Sequence, residues 1–354
     1  MSRDTRDHGA RQLFGQCLGR VRRASLLVTV LATSSAIVLA ATPHLLGRRL
    51  GSAVAGLGNV RPVWACVAGV AFLCSLLAMA GAWRTALTAC GVRLNRRQVC
   101  ARYGIGSLVN TIAPFRLGDA VRIALFARAL ERRDKIWAVS GALGAIEVAR
   151  ICCIAVLVTV ASALGALPLW PALGLAALVG SAILVAMVAP RHRRLSTRVA
   201  NLLAATRELL SSPARAIELL GFVAVATVSR VLAAVSVCAA LNIRAPVVAG
   251  LLIVAALDLS GQIPLTPGNF GVASGTVAVA LASRGIGLDE ALTAGIALQA
   301  VETAAGLTFG AVGALQLANI SHSALRRWSP ILAGTLASAA LLTLTSLSIF
   351  TDLT

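Results

Sequence analysis

Long uninterrupted apolar runs, not an alternation of polar and apolar positions, organise this chain. Residues 24–42, 62–83, 172–190 and 331–351 each pass without a single charge. Each is about as long as the roughly 20 residues an α-helix needs to cross the hydrocarbon core of a bilayer. Between and around these runs the pattern predicts, in order, a basic tail over 1–23, helix one over 24–46 and helix two over 62–83. A basic amphipathic link carrying Arg93, Arg96, Arg97 and Arg102 comes next. The apolar stretch 103–126 is broken by Pro114, Arg116, Gly118 and Asp119. It is too short to cross twice and too interrupted to cross once, so it reads as a re-entrant hairpin. Helix three follows over 138–167, then a tight Pro168-Leu-Trp-Pro171 turn with an interfacial tryptophan. Helix four ends at Pro190, a basic loop covers 191–215, and helix five covers 217–241. Residues 246–283 hold one acidic residue, Asp258, and are broken centrally by GQIPLTPGNFG, which predicts a second hairpin of two half-helices. Helix six (291–320) and helix seven (331–351) complete an all-α polytopic membrane protein of about seven transmembrane helices and two re-entrant helical hairpins, with no soluble domain of any size.

Composition agrees with this and removes other classes. Hydrophobic residues make up 58% of the 354 and charged residues 13%, against about 25% charged in a soluble domain. At a mean hydropathy of +0.86, too little polar surface remains to cover a water-facing globule. The formal net charge of +19 raises the question of nucleic acid. The arginines sit in short loops between apolar runs, however, and no basic module interleaved with aromatics is present. With the amino terminus inside and each hairpin re-entering on the side it left, the cytoplasmic segments hold 25 basic residues. The outer ones hold Arg48, Arg49, Arg61, Arg244 and Arg284. This is the positive-inside bias of a cytoplasmic-membrane protein, with the carboxyl terminus outside. The eight cysteines show no CxxC pair or metal spacing and read as small hydrophobes in helices. The four histidines are scattered, so no metal site, cofactor or nucleophilic triad is expected. The start imitates a signal peptide, but its apolar stretch is long for that role and reads as a retained helix.

Two features point to a working interior. The first is an internal repeat. Pro114 and Gly118 in one hairpin match Pro267 and Gly271 in the other as Pro-x-x-x-Gly. Glu147 lies 33 residues after Pro114, and Glu302 lies 35 after Pro267. The chain divides into the tail, an extra helix over 24–46, a first repeat over 62–190 and a second over 217–351. Each repeat has three crossings. An odd number inverts the second repeat, which is the architecture of many secondary transporters. The second feature is charge within apolar helices: Glu147, Arg150, Arg230, Asp258 and Glu302. Non-helical backbone and ionisable groups at membrane depth must line a cavity or be enclosed by protein. Glu147 and Arg150 are three apart and can pair on one helix face. Arg230 has no local acid, so its partner is Asp258, Glu302 or a substrate anion.

The residues around the hairpins resemble a known family. ARYGIGSLVNTIAPFRLGDAVRIALFARAL is similar to the N-x-x-x-P-x-R-x-G-[DE]-x-x-R block of the lysylphosphatidylglycerol synthase transmembrane-region family, also called flippase-like proteins. Its positions fall on Asn110, Pro114, Arg116, Gly118, Asp119 and Arg122. IPLTPGNFGVASGTVAVALASRGIGLDEALTAGIAL resembles the family's second block through Pro267, Gly268, Asn269, Gly271 and Val272, with Ser274 where a glutamate is usual. The resemblance implies translocation of aminoacylated phospholipids, or handling of lipid-linked intermediates in envelope and glycolipid pathways. Family members that make lysylphosphatidylglycerol carry an added soluble aminoacyltransferase domain. The longest polar segment here is a loop of some two dozen residues, so synthase activity is not expected. The expected function is translocation or handling of an anionic phospholipid or lipid-linked envelope intermediate. Arg116 and Arg122 would receive the headgroup through the planar guanidinium fork, and Asp119 would restrain one of them or contact an amine. The alternatives are a non-catalytic scaffold for a glycosyltransferase or lipid-biosynthetic enzyme, and an intramembrane enzyme, for which no acid–base pair at one depth is evident.

Overall fold

The computed structural model describes residues 61–112, 117–130, 135–165, 212–260 and 272–320, with the single positions 167 and 174. They form α1 (Pro62–Ala89), α2 (Arg96–Ile112), α3 (Leu117–Arg128), α4 (Lys135–Ala163), α5 (Pro213–Ala240), α6 (Pro246–Ser260), α7 (Val272–Ala282) and α8 (Leu288–Ile320). No strand occurs among the described residues. Four helices are long and apolar enough to cross a membrane: α1, Ala138–Ala163 of α4, α5 and Leu288–Leu317 of α8, at mean hydropathies of 2.3, 2.2, 2.0 and 1.3. The last is lowest, and the helix carries Asp289, Glu290, Gln299 and Glu302. The first two of these lie in its opening turn, where the helix dipole favours negative charge. Expected helices one, four and seven lie outside the described residues.

Several boundaries differ from the apolar runs, for local reasons. Helix two continues past Trp83 to Ala89. Thr85 and Thr88 donate their hydroxyls to the carbonyls of Gly81 and Arg84 at 3.3 and 2.8 Å, so their polar groups are satisfied within the helix. Helix three begins at Lys135 and stops at Ala163, short of the expected 167, and Gly165 follows in the left-handed region at φ +70°. The second half of the basic link is not a link: Arg96–Arg102 begins α2, where Arg102 donates to the Gln98 carbonyl one turn back at 3.1 Å.

The same terminal chemistry occurs twice. Pro62 and Pro213 both stand at the first turn of a 28-residue helix, where the missing N–H costs nothing. At the other end of α1, Val92 N–H reaches back to the Leu87 carbonyl with Gly91 at φ +78°. At the end of α5, Ile243 N–H reaches back to the Cys238 carbonyl with Asn242 at φ +56°. Both are left-handed helix stops, in the residue types that tolerate that backbone.

α1 and α5 are the most extensively packed pair. They run antiparallel, since Arg61 at the start of α1 donates its N–H to the carbonyl of Ala240 at the end of α5 at 3.4 Å. Gly81 admits the Phe222 ring against the α1 backbone, in space a Cβ would occupy. The other helices surround this pair. α2 packs on α3 and α8, as α6 packs on α7 and α4. Every substantial helix–helix contact keeps a counterpart when α1, α2, α3 and α4 are exchanged for α5, α6, α7 and α8.

The apolar core is divided accordingly. One cluster joins Ala80–Ala89 of α1 and Leu219 and Val223 of α5 to Val99, Tyr103 and Phe126 of the α2–α3 pair. The other joins Ala68–Phe72 and Ala233–Cys238, at the opposite ends of the same two helices, to Ile253, Val277 and Leu281 of the α6–α7 pair. Each pair of short helices therefore packs at a different end of the long ones. Large apolar side chains such as Val70, Val156, Val228 and Val279 point outward, where lipid rather than water suits them.

Candidate functional site

Between the two clusters lies a cavity of about 330 Å³, lined by α1, α2, α3, α4, α5, α6, α7 and α8. Seven charged residues reach it: Asp119, Arg122, Glu147, Arg150, Arg230, Asp258 and Glu302. They fall into two groups.

The first group closes α3 onto α2. Asn110 accepts the Gly118 N–H on its side-chain carbonyl at 2.7 Å and turns its amide toward Asp119 at 3.4 Å. Asp119 pairs with Arg122 at 2.5 Å, one turn further along α3. Arg122 donates to the Ser107 hydroxyl at 2.8 Å, and its guanidinium lies over the Tyr103 ring, 4.2 Å from the centroid. The glycines make this closeness possible. A Cβ at Gly118 would meet the Gly106 carbonyl and the Asn110 side chain, and one at Gly106 would meet the Arg122 side chain. Within the first family-like block, Asn110, Gly118, Asp119 and Arg122 thus hold two short helices together. Arg122 lies on the cavity wall. Its guanidinium is engaged by a carboxylate, a hydroxyl and a ring, although its buried Nε has no hydrogen-bond partner among the described residues. Asp119 restrains Arg122. Arg116 and Pro114 lie outside the described residues, as do Pro267, Gly268, Asn269 and Gly271.

The second group is built from helices far apart in sequence. Asp258, 2% exposed on α6, accepts from Arg230 of α5 at 2.5 Å and from Arg150 of α4 at 3.1 Å. Burying a carboxylate this deeply requires such pairing. The three candidates for Arg230 thus resolve to Asp258. Arg150 also lies 3.8 Å from Glu147, so the local pair expected from the i, i+3 spacing is its longer contact. Its shorter one runs 108 residues along the chain to Asp258. Glu302 faces the same cavity from α8 without a salt bridge among the described residues. Its neighbour Thr303 has a buried hydroxyl with no hydrogen-bond partner among the described residues.

Three contributors were not singled out from sequence: Tyr103, Ser107 and Trp83. Tyr103 and Ser107 precede Asn110 at four- and three-residue steps on one face of α2, a helical period. Trp83, stacked on Phe126 at 4.9 Å and 15°, lines the cavity and offers no charge to mark it. A further signal for the repeat was present as well: Ala89-Cys-Gly-Val-Arg93 and Ala240-Leu-Asn-Ile-Arg244 stand 151 residues apart and carry the two matching helix stops.

A helical bundle with four membrane-length helices, lipid-facing apolar sides and a charged cavity at its centre defines a multi-pass membrane protein. More particularly, the chain belongs to the lysylphosphatidylglycerol synthase TM region family, whose model matches residues 24–310. No curated protein and no solved structure matches it.

Proposed function

We propose that this protein is a flippase-like translocator of an anionic phospholipid or lipid-linked envelope intermediate, without catalytic activity of its own. The observation that carries this reading is Arg150 and Arg230 held by the one carboxylate of Asp258 inside the helical bundle. Each guanidinium has five N–H donors, and the pairs with Asp258 use only part of them. A phosphate entering the cavity would meet two cations already desolvated and already oriented, so little further ordering is needed to bind it. In this reading Arg150 and Arg230 take the headgroup role first assigned to Arg116 and Arg122, and the Asn110–Arg122 network holds one wall of the site. Membership in a family described by a lysylphosphatidylglycerol synthase's membrane region is in keeping with a lipid as the ligand.

The α2–α3 and α6–α7 pairs are then two re-entrant hairpins of an inverted repeat. At 17, 12, 15 and 11 residues, each of their helices is too short to span alone. The matched helix stops and the self-matching contact pattern support the repeat. The charge bias orients the protein in the cytoplasmic membrane with Gly91–Asn95 inside and Arg244 and Arg284 outside. Single cysteines introduced at Asn95 and Arg284 in an otherwise cysteine-free chain should differ in whole cells. An impermeant maleimide should label position 284 and leave 95 unlabelled, and the reverse pattern overturns the orientation.

The function itself is tested in proteoliposomes of phosphatidylcholine with fluorescent phosphatidylglycerol as the probe. Wild-type protein should move the probe between leaflets and leave fluorescent phosphatidylcholine at its protein-free rate. Arg150→Gln should slow the probe about 10- to 100-fold, as expected for loss of a charged hydrogen bond of ~1.5–3 kcal/mol. Equal movement of both lipids, or an unaffected Arg150→Gln protein, rejects the proposal.

A further inference from the structure

We propose that Glu302 is a proton-carrying site, and that its proton accompanies an anionic headgroup through the cavity. This rests on the translocator reading above and adds the coupling ion.

The starting point is a charge count made with geometry. Three of the four cavity carboxylates, Asp119, Glu147 and Asp258, lie within 4 Å of a guanidinium. The three guanidiniums are Arg122, Arg150 and Arg230. Ionised together, these six groups cancel. Glu302 is the seventh described charge in the cavity and the one carboxylate among them with no salt bridge. The repeat shows why it is left over. Arg150 follows Glu147 by three residues in α4, whereas Ala305 occupies that place after Glu302 in α8.

The groups around Glu302 set its options. Tyr103 and Asn110 face the cavity from α2, and Asp119 and Arg122 from α3. Glu147 and Arg150 face it from α4, Arg230 from α5 and Asp258 from α6. α1 and α7 bring no charged side chain to it. On α8 itself, Asp289 and Glu290 lie three to four turns away in the first turn, leaving Gln299 and Thr303 as the polar neighbours. With Glu302 ionised, the described cavity holds one net negative charge and opposes a phosphate. With Glu302 protonated, it is neutral and no longer opposes a phosphate approaching Arg150 and Arg230. Anion binding and protonation of one carboxyl therefore favour each other, and this linkage is reciprocal. A proton enters with the anion, is held on the Glu302 carboxyl, and leaves with the anion on the other side. No covalent bond other than O–H forms or breaks.

Two measurements on full-length protein separate this from the translocator reading. The first is infrared spectroscopy in nanodiscs over a pH series. Wild-type protein should show a protonated-carboxyl band that disappears in Glu302→Gln and persists in Glu147→Gln. At a fixed pH that band should be stronger in phosphatidylglycerol discs than in phosphatidylcholine discs. A Glu302 that stays ionised at every pH, or a band indifferent to phosphatidylglycerol, overturns the proposal whether or not lipid moves. The second is translocation of fluorescent phosphatidylglycerol under an imposed pH difference. The wild-type rate should rise by up to about tenfold per unit of pH difference, the limit for one linked proton, and Glu302→Gln should lose that response. Translocation that is pH-independent in the wild type, or equally pH-dependent in Glu302→Gln, rejects proton coupling and leaves translocation standing. Absence of translocation in the wild type rejects the translocator reading and, with it, the coupling.

Discussion

Asp258→Asn should destabilise the detergent-solubilised protein by ~3–5 kcal/mol, the range for removing one partner of a buried ion pair. Asp258 is almost wholly buried and serves two guanidiniums, one from each half of the chain. Its loss leaves Arg150 and Arg230, which reach the same Oδ1, side by side without their shared carboxylate, and leaves Arg150 with Glu147 3.8 Å away. Two like charges in a poorly solvated site repel strongly, because little water remains between them. Thermal unfolding followed by circular dichroism gives the loss. Asp258→Asn combined with Arg230→Gln should recover a large part of it, since the second change removes the stranded charge. If the double variant is no more stable than Asp258→Asn, the pair does not interact as described, and the damage comes from α6 packing instead.

Trp83→Ala should cost a similar ~3–5 kcal/mol through the void left by a large buried ring. The indole is 1% exposed and lies flat against Phe126, so it joins α1 to α3. Packing matters more than burial for such a contact, since lipid competes with a protein interior for apolar surface and close van der Waals fit is what remains. The loss should therefore be local as well as global. Backbone amides of Leu117–Arg128 should exchange with deuterium faster in the alanine variant, and Trp83→Phe should restore most of the protection. Unchanged exchange across α3 alongside a lower melting temperature would place the effect elsewhere in α1.

These two residues mark the boundary of what could be read in advance. Asp258 stood out in the sequence as a charge in an apolar stretch, because insertion of such a group into a membrane is costly wherever it occurs. Trp83 did not stand out, because an aromatic ring at the end of an apolar run has no local property that separates a cavity wall from an ordinary interfacial residue. The family-like block shows the same limit differently. Its residues were legible one by one as candidates for a ligand, whereas the bonds that Asn110, Gly118, Asp119 and Arg122 make to each other and to Ser107 and Tyr103 were not. A motif records which residue types are needed and is silent on whether they face a ligand or a neighbouring helix.

By itself the sequence determined the all-α membrane class, the positions of α1, α4, α5 and α8, and the five charged residues within apolar stretches. All of these follow from local properties: the length of an apolar run, the cost of a charge within it, and the backbone limits of proline and glycine. The tertiary structure alone decided the partners. Arg150 reaches Asp258 at 3.1 Å as well as Glu147 one turn away at 3.8 Å, Arg230 pairs with Asp258, and Glu302 was left without a salt bridge among the described residues. Those choices depend on which faces of α4, α5, α6 and α8 meet, hence on packing between segments as much as 108 residues apart, where the difference of a few ångströms settles which acid a guanidinium reaches.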